Sequence, residues 1–314
     1  MQENLFKKRI LFIGMPDFAI IALSKLNEHK VNIVGVVPPH KSDPTYNIMC
    51  DITKDYGYKL IEYNNSLNEI EFLNKIESLN ADIGIVCSYN KLLPKDLLNK
   101  TKDGFINCHP ALLPQYRGGN PYSHVIINNE KETGVTLHFM DEKFDTGNII
   151  SQYSIPIEKF ETMGTLFNKL SFLGTDMLIE TLKKYEQDSK LDSTPQAEGE
   201  YIYAPNIRDI KGENIINWNN DVNYIERFIR ALNPFIGAIT YYKSVGVKIH
   251  SAYVKSKKVK YTPGTICELD NHIGVAALDG IVYIKTLQVG SYFIGDALDF
   301  IRYINPKKGE RFGY

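Results

Sequence analysis

No stretch of the chain approaches the roughly 18 consecutive apolar residues that a membrane-spanning helix needs. Cysteine is equally sparse: Cys50, Cys87, Cys108 and Cys267 lie far apart with no CxxC pair, so neither a disulfide framework nor a zinc knuckle can be read. The early turn GMPDFA (14–19) lacks the GxGxxG spacing of a dinucleotide cradle. There is no HExxH, and His109, His138 and Asp145 are not spaced as metal ligands, so no metal is expected. No internal repeat or low-complexity tract is visible. The N-terminal MQENLFKKRILFIG sets two lysines and an arginine before an apolar run, but that run leads straight into Met15, Pro16 and Asp17. It reads as a first buried strand rather than a secretory signal. Reduced thiols and a cytoplasmic protein without a membrane partner are the expectation.

The 314 residues, 43% hydrophobic and 23% charged, suffice for one large core or two moderate ones, and disorder is excluded over most of the length. A net charge of −1 hides an asymmetry: residues 201–314 carry fifteen Lys/Arg against ten Asp/Glu, leaving −6 on the first 200. The second half could therefore meet a polyanion or a diphosphate. KSKKVK (255–260) is the densest basic cluster, although a solvated hairpin loop explains it as well.

Short β-branched segments alternate with amphipathic stretches in the first half: RILFIG (9–14), NIVGVV (32–37), KLIEY (59–63), DIGIVC (82–87) and FINCH (105–109). Ser66 with Glu69 three residues on forms a capping-box signature. GVTLHFMD (134–141) and NIISQYSIPI (148–157) extend the sheet, and a long helical pattern runs from Thr162 to about Gln187. This is the pattern of an α/β fold, a doubly wound, mostly parallel Rossmann-like sheet, in which ligands settle beyond the carboxyl ends of the strands. The polar, aperiodic DSKLDSTPQAEG (188–199) reads as a linker. VKIHSAYV (247–254), GTICEL (264–269), IGVAAL (273–278) and IVYIKTLQ (281–288) then predict a small antiparallel OB-like barrel, with Asp279-Gly280 as a hairpin turn. The expected domains are 1–190 and 200–314.

The chemistry concentrates in NCHPALLPQYRGGNP (107–121) and ETGVTLHFMDEKFDTGNII (132–150). Asn107 and His109 lie two apart on a strand, so they share a face, and Pro110 ends that strand. An amide donor can hold a developing oxyanion while an imidazole removes a proton from an attacking amine, and a carboxylate such as Asp145 orients the imidazole. Each residue alone also has a structural reading: a satisfied core histidine, a turn cap, and a turn-forming Asp before Gly147.

The combination resembles the signature of the 10-formyltetrahydrofolate-dependent formyltransferases: Asn, His two residues on, a Leu-Leu-Pro loop, an Arg-Gly pair, and a downstream Asp before Gly. IRALNPFIGA (229–238) extends the likeness to members with a second barrel domain. The resemblance implies Asn107, His109 and Asp145 as catalytic residues and N10-formyltetrahydrofolate as formyl donor. It places the folate against CSYNKLLP (87–94), with Ser88, Tyr89, Leu92 and Leu93, against Arg117, and against DEKFD (141–145), with Asp141 and Phe144.

Relatives formylate initiator methionyl-tRNA, a ribonucleotide glycinamide, or an amino sugar on a nucleoside diphosphate. The tRNA enzymes carry a long basic loop after the second strand; here VVPPHKSDPTYN (36–47) offers Lys41 alone. YRGGNPYSHVI (116–126) resembles the sugar enzymes. The expected acceptor is therefore a dTDP-linked 3- or 4-amino-dideoxy sugar, with no nucleic acid; initiator methionyl-tRNA is the alternative acceptor, a non-catalytic sugar-nucleotide binder is the more remote one, and a homodimer is compatible with this. Expected substrate residues are Met15, Phe18, Tyr116, Gly118, Asn120 and Tyr122, with Arg208, Lys211 and Arg230 for the diphosphate. Trp218 is read either as a base-stacking ring or as a core anchor.

Overall fold

The computed structural model describes residues 6–207, 212–291 and 293–313. The chain forms two compact units that do not follow a single cut. One comprises residues up to Gly119, Glu132–Ile155 and Phe167–Ala204; the other comprises Asn120–Lys131, Pro156–Leu166 and the chain from Pro205 onward.

The first unit is built on a six-stranded sheet of β1 (Ile10–Gly14), β2 (Ile33–Val37), β3 (Ile83–Cys87), β4 (Phe105–His109), β5 (Glu132–Phe139) and β6 (Ile149–Pro156). Its order is β2-β1-β3-β4-β5-β6. The first four strands are parallel, and β5 runs antiparallel to β4. Every residue of β1 and β3 is buried, as continuous apolar strands must be when both sheet faces are covered. The covering helices include α1 (Phe18–Glu28), α2 (Tyr46–Asp55), α3 (Ile70–Ser78), the short α4 (Lys95–Leu98) and the long α6 (Met163–Asp188). The chain winds from β1 to β2 on one side and from β3 to β4 on the other, so the carboxyl ends around β1, β3 and β4 form the crevice where such sheets bind ligands.

Two local expectations change. KLIEY is not a strand: Leu60 makes a single parallel bridge to Val36. The ladder cannot continue because β2 runs into Pro38 and Pro39, which have no N–H to donate. The Ser66/Glu69 pair does form, with Glu69 Oε1 accepting from the Ser66 amide at 3.2 Å and the Asn65 amide at 2.7 Å, but α3 starts only at Ile70.

The second unit holds α5 (Pro121–Ile127), α7 (Val222–Leu232), β7 (Ala238–Tyr242), β8 (Val245–Ser256), β9 (Ile266–Leu269), β10 (Ile273–Ala276), β11 (Gly280–Val289), β12 (Phe293–Asp296), α8 (Ala297–Ile304) and β13 (Phe312–Gly313). The sheet path β13-β7-β8-β11-β10-β9 is joined end to end by an antiparallel bridge from Thr265 to Arg311, the barrel-like closure expected of the C-terminal region. Asp279 turns β10 into β11 and also accepts from the Val222 amide at 2.9 Å, tying the hairpin to the start of α7. Among the described residues, no helix is long and apolar enough to cross a membrane.

Candidate active site

Period-two geometry sends Asn107 and His109 to the same face of β4, and the β4/β5 register sets His138 opposite Asn107 and Thr136 opposite His109. The third polar group arrives from the turn after β5, where Asp145 sits at φ 55°, a left-handed conformation that Asp tolerates better than most residues. Gly147 makes that turn feasible, since a Cβ there would lie 1.8 Å from the Phe139 carbonyl oxygen. The loop after Pro110 closes the site from the other side: Gly118 donates its amide to Asp145 Oδ2 at 3.0 Å. A Cβ on Gly118 (φ 116°) would meet the Ala204 carbonyl at 2.5 Å, so this close approach requires glycine.

The hydrogen bonds fix the tautomers. His109 Nε2 lies 2.9 Å from the Tyr116 carbonyl, which can only accept, so Nε2 carries the proton and Nδ1 the lone pair. Nδ1 faces Asp145 Oδ1 at 3.5 Å; in the neutral form both atoms are acceptors and no hydrogen bond joins them, and protonation of Nδ1 creates the donor. By the same argument His138 donates from Nδ1 to the Phe139 carbonyl at 2.8 Å, leaving its Nε2 to accept from Asn107 Nδ2 at 3.1 Å. Asn107 Nδ2 also donates to Asp145 Oδ1 at 3.3 Å.

Burial holds the His109 pKa below its ordinary value against the opposing pull of Asp145 and the Tyr116 carbonyl, so the ring is a neutral base at pH 7. For Asp145, burial acts to raise the pKa, but His109, His138 and the Gly118 amide outweigh it and hold the carboxyl well below the usual carboxylate range. The result is a buried, neutral imidazole beside a fixed negative charge and an oriented amide donor, which defines a centre for acyl transfer to an amine.

The comparisons with known proteins agree with that class. Residues 8–182 match the formyl transferase family and residues 210–304 match the formyl transferase C-terminal domain, so the chain belongs to the formyl transferase family. It is 36% identical to the methionyl-tRNA formyltransferase of Dictyoglomus thermophilum across 97% of this chain and 99% of that one. It is 38% identical to the methionyl-tRNA formyltransferase of Staphylococcus epidermidis across 84% and 85%. The N-formyltransferase of Helicobacter canadensis, solved with folinic acid and dTDP-3-aminofucose, shares the fold at a TM-score of 0.64 and 23% identity, with 88% of this chain and 98% of that one covered. The protein is an enzyme that transfers formyl groups from N10-formyltetrahydrofolate.

The residues expected against the folate lie on the loops after β3 and β5 and on the loop after Pro110. Leu92 and Phe144 are exposed at 41% and 47% on the two loops flanking the site, and an ion pair of 3.2 Å from Lys95 to Glu142 joins these loops. Ser88 is exposed in a left-handed conformation at the end of β3. Tyr89 is half-buried with its hydroxyl 2.9 Å from that of Tyr63, and Asp141 accepts from Thr146 Oγ1 and the Lys143 amide, so it shapes its own turn. Leu93 is a correction, since its side chain is buried in the core with Leu97 and Phe105. Arg117 is engaged by Gln196 and lies over the Tyr201 ring at 4.2 Å.

Among the expected substrate residues, Met15 is half-buried beside Cys87, whereas Phe18 faces the core from α1 and is withdrawn as a wall residue. Tyr116 is buried and contributes its carbonyl. Asn120 and Tyr122 are buried in the second unit, where Asn120 caps α5 by accepting from the Ser123 amide. Trp218 is 5% exposed and donates to Thr240 Oγ1 at 3.0 Å, so its ring is a core anchor and not a base-stacking platform. Arg230 is neutralised by Glu226 at 2.6 Å and is likewise corrected as a phosphate ligand. Arg208 and Lys211 lie outside the described residues. Among the described residues, no group of three or more His, Cys, Asp or Glu could hold a metal ion.

Sequence reasoning missed His138 as a partner of Asn107; only the β4/β5 register reveals it. His138→Phe keeps an aromatic ring but removes the acceptor that orients the carboxamide, together with the donor to the Phe139 carbonyl. Turnover is expected to fall about tenfold to a hundredfold, as small misplacements of reacting groups do. Unchanged steady-state turnover in a folded H138F protein would exclude this role.

Proposed function

We propose that the protein formylates the amino group of methionine carried on tRNA. The observation that carries this reading is the set of relatives named methionyl-tRNA formyltransferases, 33–38% identical over most of both chains. The same relatives overturn the nucleotide-linked amino sugar expected from the sequence; proteins that bind such sugars are similar in fold alone. The expectation of no nucleic-acid partner falls with it. Phosphate contacts need not come from the loop after β2. The second unit carries its own basic surface, where the exposed Tyr253 ring stacks at 4.8 Å on the buried Tyr283 across β8 and β11, with Lys285 over Tyr253 and Lys255 over Tyr283. An exposed ring flanked by lysines suits an RNA backbone and its bases.

N10-formyltetrahydrofolate supplies the formyl carbon when bound. The acceptor must attack as a free amine, and His109 Nδ1 takes its proton, directly or through one water. The new Nδ1–H then donates to Asp145 Oδ1, which no longer needs the weak 3.3 Å bond from Asn107. That amide hydrogen turns to the oxygen developing negative charge, a contribution of about 10²–10³ in rate for one such donor. As the adduct collapses, the bond from the formyl carbon to folate N10 breaks, that nitrogen takes the proton from His109 Nδ1, and tetrahydrofolate leaves with the formamide formed and the imidazole neutral again; Asp145 thus couples base and oxyanion donor.

Tetrahydrofolate release should accelerate with methionyl-tRNA and not with uncharged tRNA or a dTDP-linked amino sugar; the reverse order would sink the proposal. Binding of tRNA should weaken steeply with salt, and Lys255→Ala with Lys285→Ala should reduce the log-log slope by about one per lysine. An unchanged slope would remove this face from the tRNA footprint.

A further inference from the structure

Residues 189–204 were expected to include a free tether, yet they run along both loops of the site. Thr194 pairs with Ile149, the Ile202 carbonyl accepts from the Tyr116 amide at 2.7 Å, and the Ala204 amide donates to the Arg117 carbonyl at 2.7 Å. Between these anchors stands Gln196, and both halves of its carboxamide are engaged. Its Nε2 donates to the carbonyls of Asp145 at 2.8 Å and Gly147 at 2.9 Å, and its Oε1 accepts from Arg117 Nε at 3.1 Å and Nη2 at 2.5 Å.

We propose that Gln196 is a positioning residue: by gathering the two carbonyls that flank Thr146, it holds the left-handed turn that aims the Asp145 carboxylate at His109 and Asn107. A sparsely populated backbone conformation persists only where its surroundings over-determine it. Here the Gly118 amide and Asn107 hold the Asp145 side chain, while Gln196 holds the backbone beneath it. Without that backbone clamp, nothing else described in the turn bonds the Asp145 carbonyl, and the carboxylate is free to drift from its 3.5 Å station opposite His109 Nδ1.

The inference rests on the catalytic reading of Asp145 and His109, so its test includes a readout that needs no substrate. The titratable and charged groups facing His109 are Asp145, His138 and Arg117. Of these, Asp145 favours the imidazolium while the other two oppose it, so a displaced carboxylate makes His109 harder to protonate. Histidine-labelled protein is titrated by NMR as wild type, Gln196→Met and Gln196→Glu, with His109 assigned from His109→Gln. The methionine variant keeps length without hydrogen bonds; the glutamate variant keeps the acceptor for Arg117 but loses the donor. In Gln196→Met the His109 midpoint is expected to move to lower pH by about one unit, whereas in Gln196→Glu the added carboxylate opposes that shift and turnover is the readout. With methionyl-tRNA, kcat should fall about tenfold to a hundredfold at little-changed KM for either substrate. The proposal is overturned if the His109 titration is unmoved in Gln196→Met, if kcat falls only in proportion to the folded fraction, or if Gln196→Glu turns over as wild type, since Arg117 would then carry the effect. A wild-type protein inactive on methionyl-tRNA would count against the acceptor, while the NMR titration would still decide the role of Gln196.

Discussion

His109→Gln is expected to lower kcat for formyl transfer by about 10²–10⁴, the range that a positioned general base contributes. Glutamine is the informative replacement because its Nε2 can reproduce the imidazole Nε2–H donated to the Tyr116 carbonyl, and so the buried acceptor keeps its partner. What it lacks is the lone pair that Nδ1 presents towards Asp145. Stability should therefore fall by no more than about 1–2 kcal/mol while turnover collapses, separating a chemical role from a structural one. The wild-type kcat profile should also rise with pH, with a midpoint below the ordinary histidine value because burial depresses the His109 pKa. In the variant that limb should vanish. Steady-state tetrahydrofolate release across pH checks both, and near-normal rates in a folded His109→Gln protein would remove His109 from the mechanism.

The parts of this arrangement legible in the sequence are those fixed by local geometry. A strand alternates its side chains, so Asn107 and His109 had to share a face, and Pro110 had to end the strand near its exposed end. Continuous apolar runs with helices between them had to give buried parallel strands, as β1 and β3 do. What escaped depends on tertiary register or on backbone atoms. His138 lies 31 residues from Asn107 and becomes its partner only when β5 folds back antiparallel on β4. The groups that set the His109 and Asp145 geometry include the Tyr116 carbonyl and the Gly118 amide, which every residue type possesses and no motif advertises. Gln196 sat in a segment whose polarity and Pro/Gly content are those of a linker, because composition reports solvent preference and not a specific pairing. Trp218, Arg230 and Leu93 show the converse: aromatic, cationic and loop residues looked available for a ligand until their burial or partners were seen.

Asp145→Asn is expected to have the other largest effect, a loss in kcat of about 10³–10⁴, by analogy with orienting carboxylates in other base-plus-carboxylate sites. Asparagine tolerates the left-handed conformation, so the turn should survive. Its amide, however, can donate to His109 Nδ1 and capture the lone pair that the reaction needs, while the stabilisation of the imidazolium is lost. The pH dependence of stability gives a second, independent reading. The Asp145 carboxyl is held below its ordinary pKa, so its contribution is fully present above the unfolded value of about 4 and is lost as pH falls through the lower folded value. His109 is also depressed, so as pH falls below about 6.5 the unfolded chain takes up the proton first and the folded state is disfavoured. The destabilisation by Asp145→Asn should therefore be largest near neutral pH and begin to shrink below about pH 4, where Asp145 of the unfolded wild-type chain takes up its proton while the folded carboxylate is still ionised. Denaturant unfolding of both proteins at pH 7 and at about pH 3.5 measures this difference. A constant difference between the two pH values would mean that Asp145 is not the ionised partner the geometry requires.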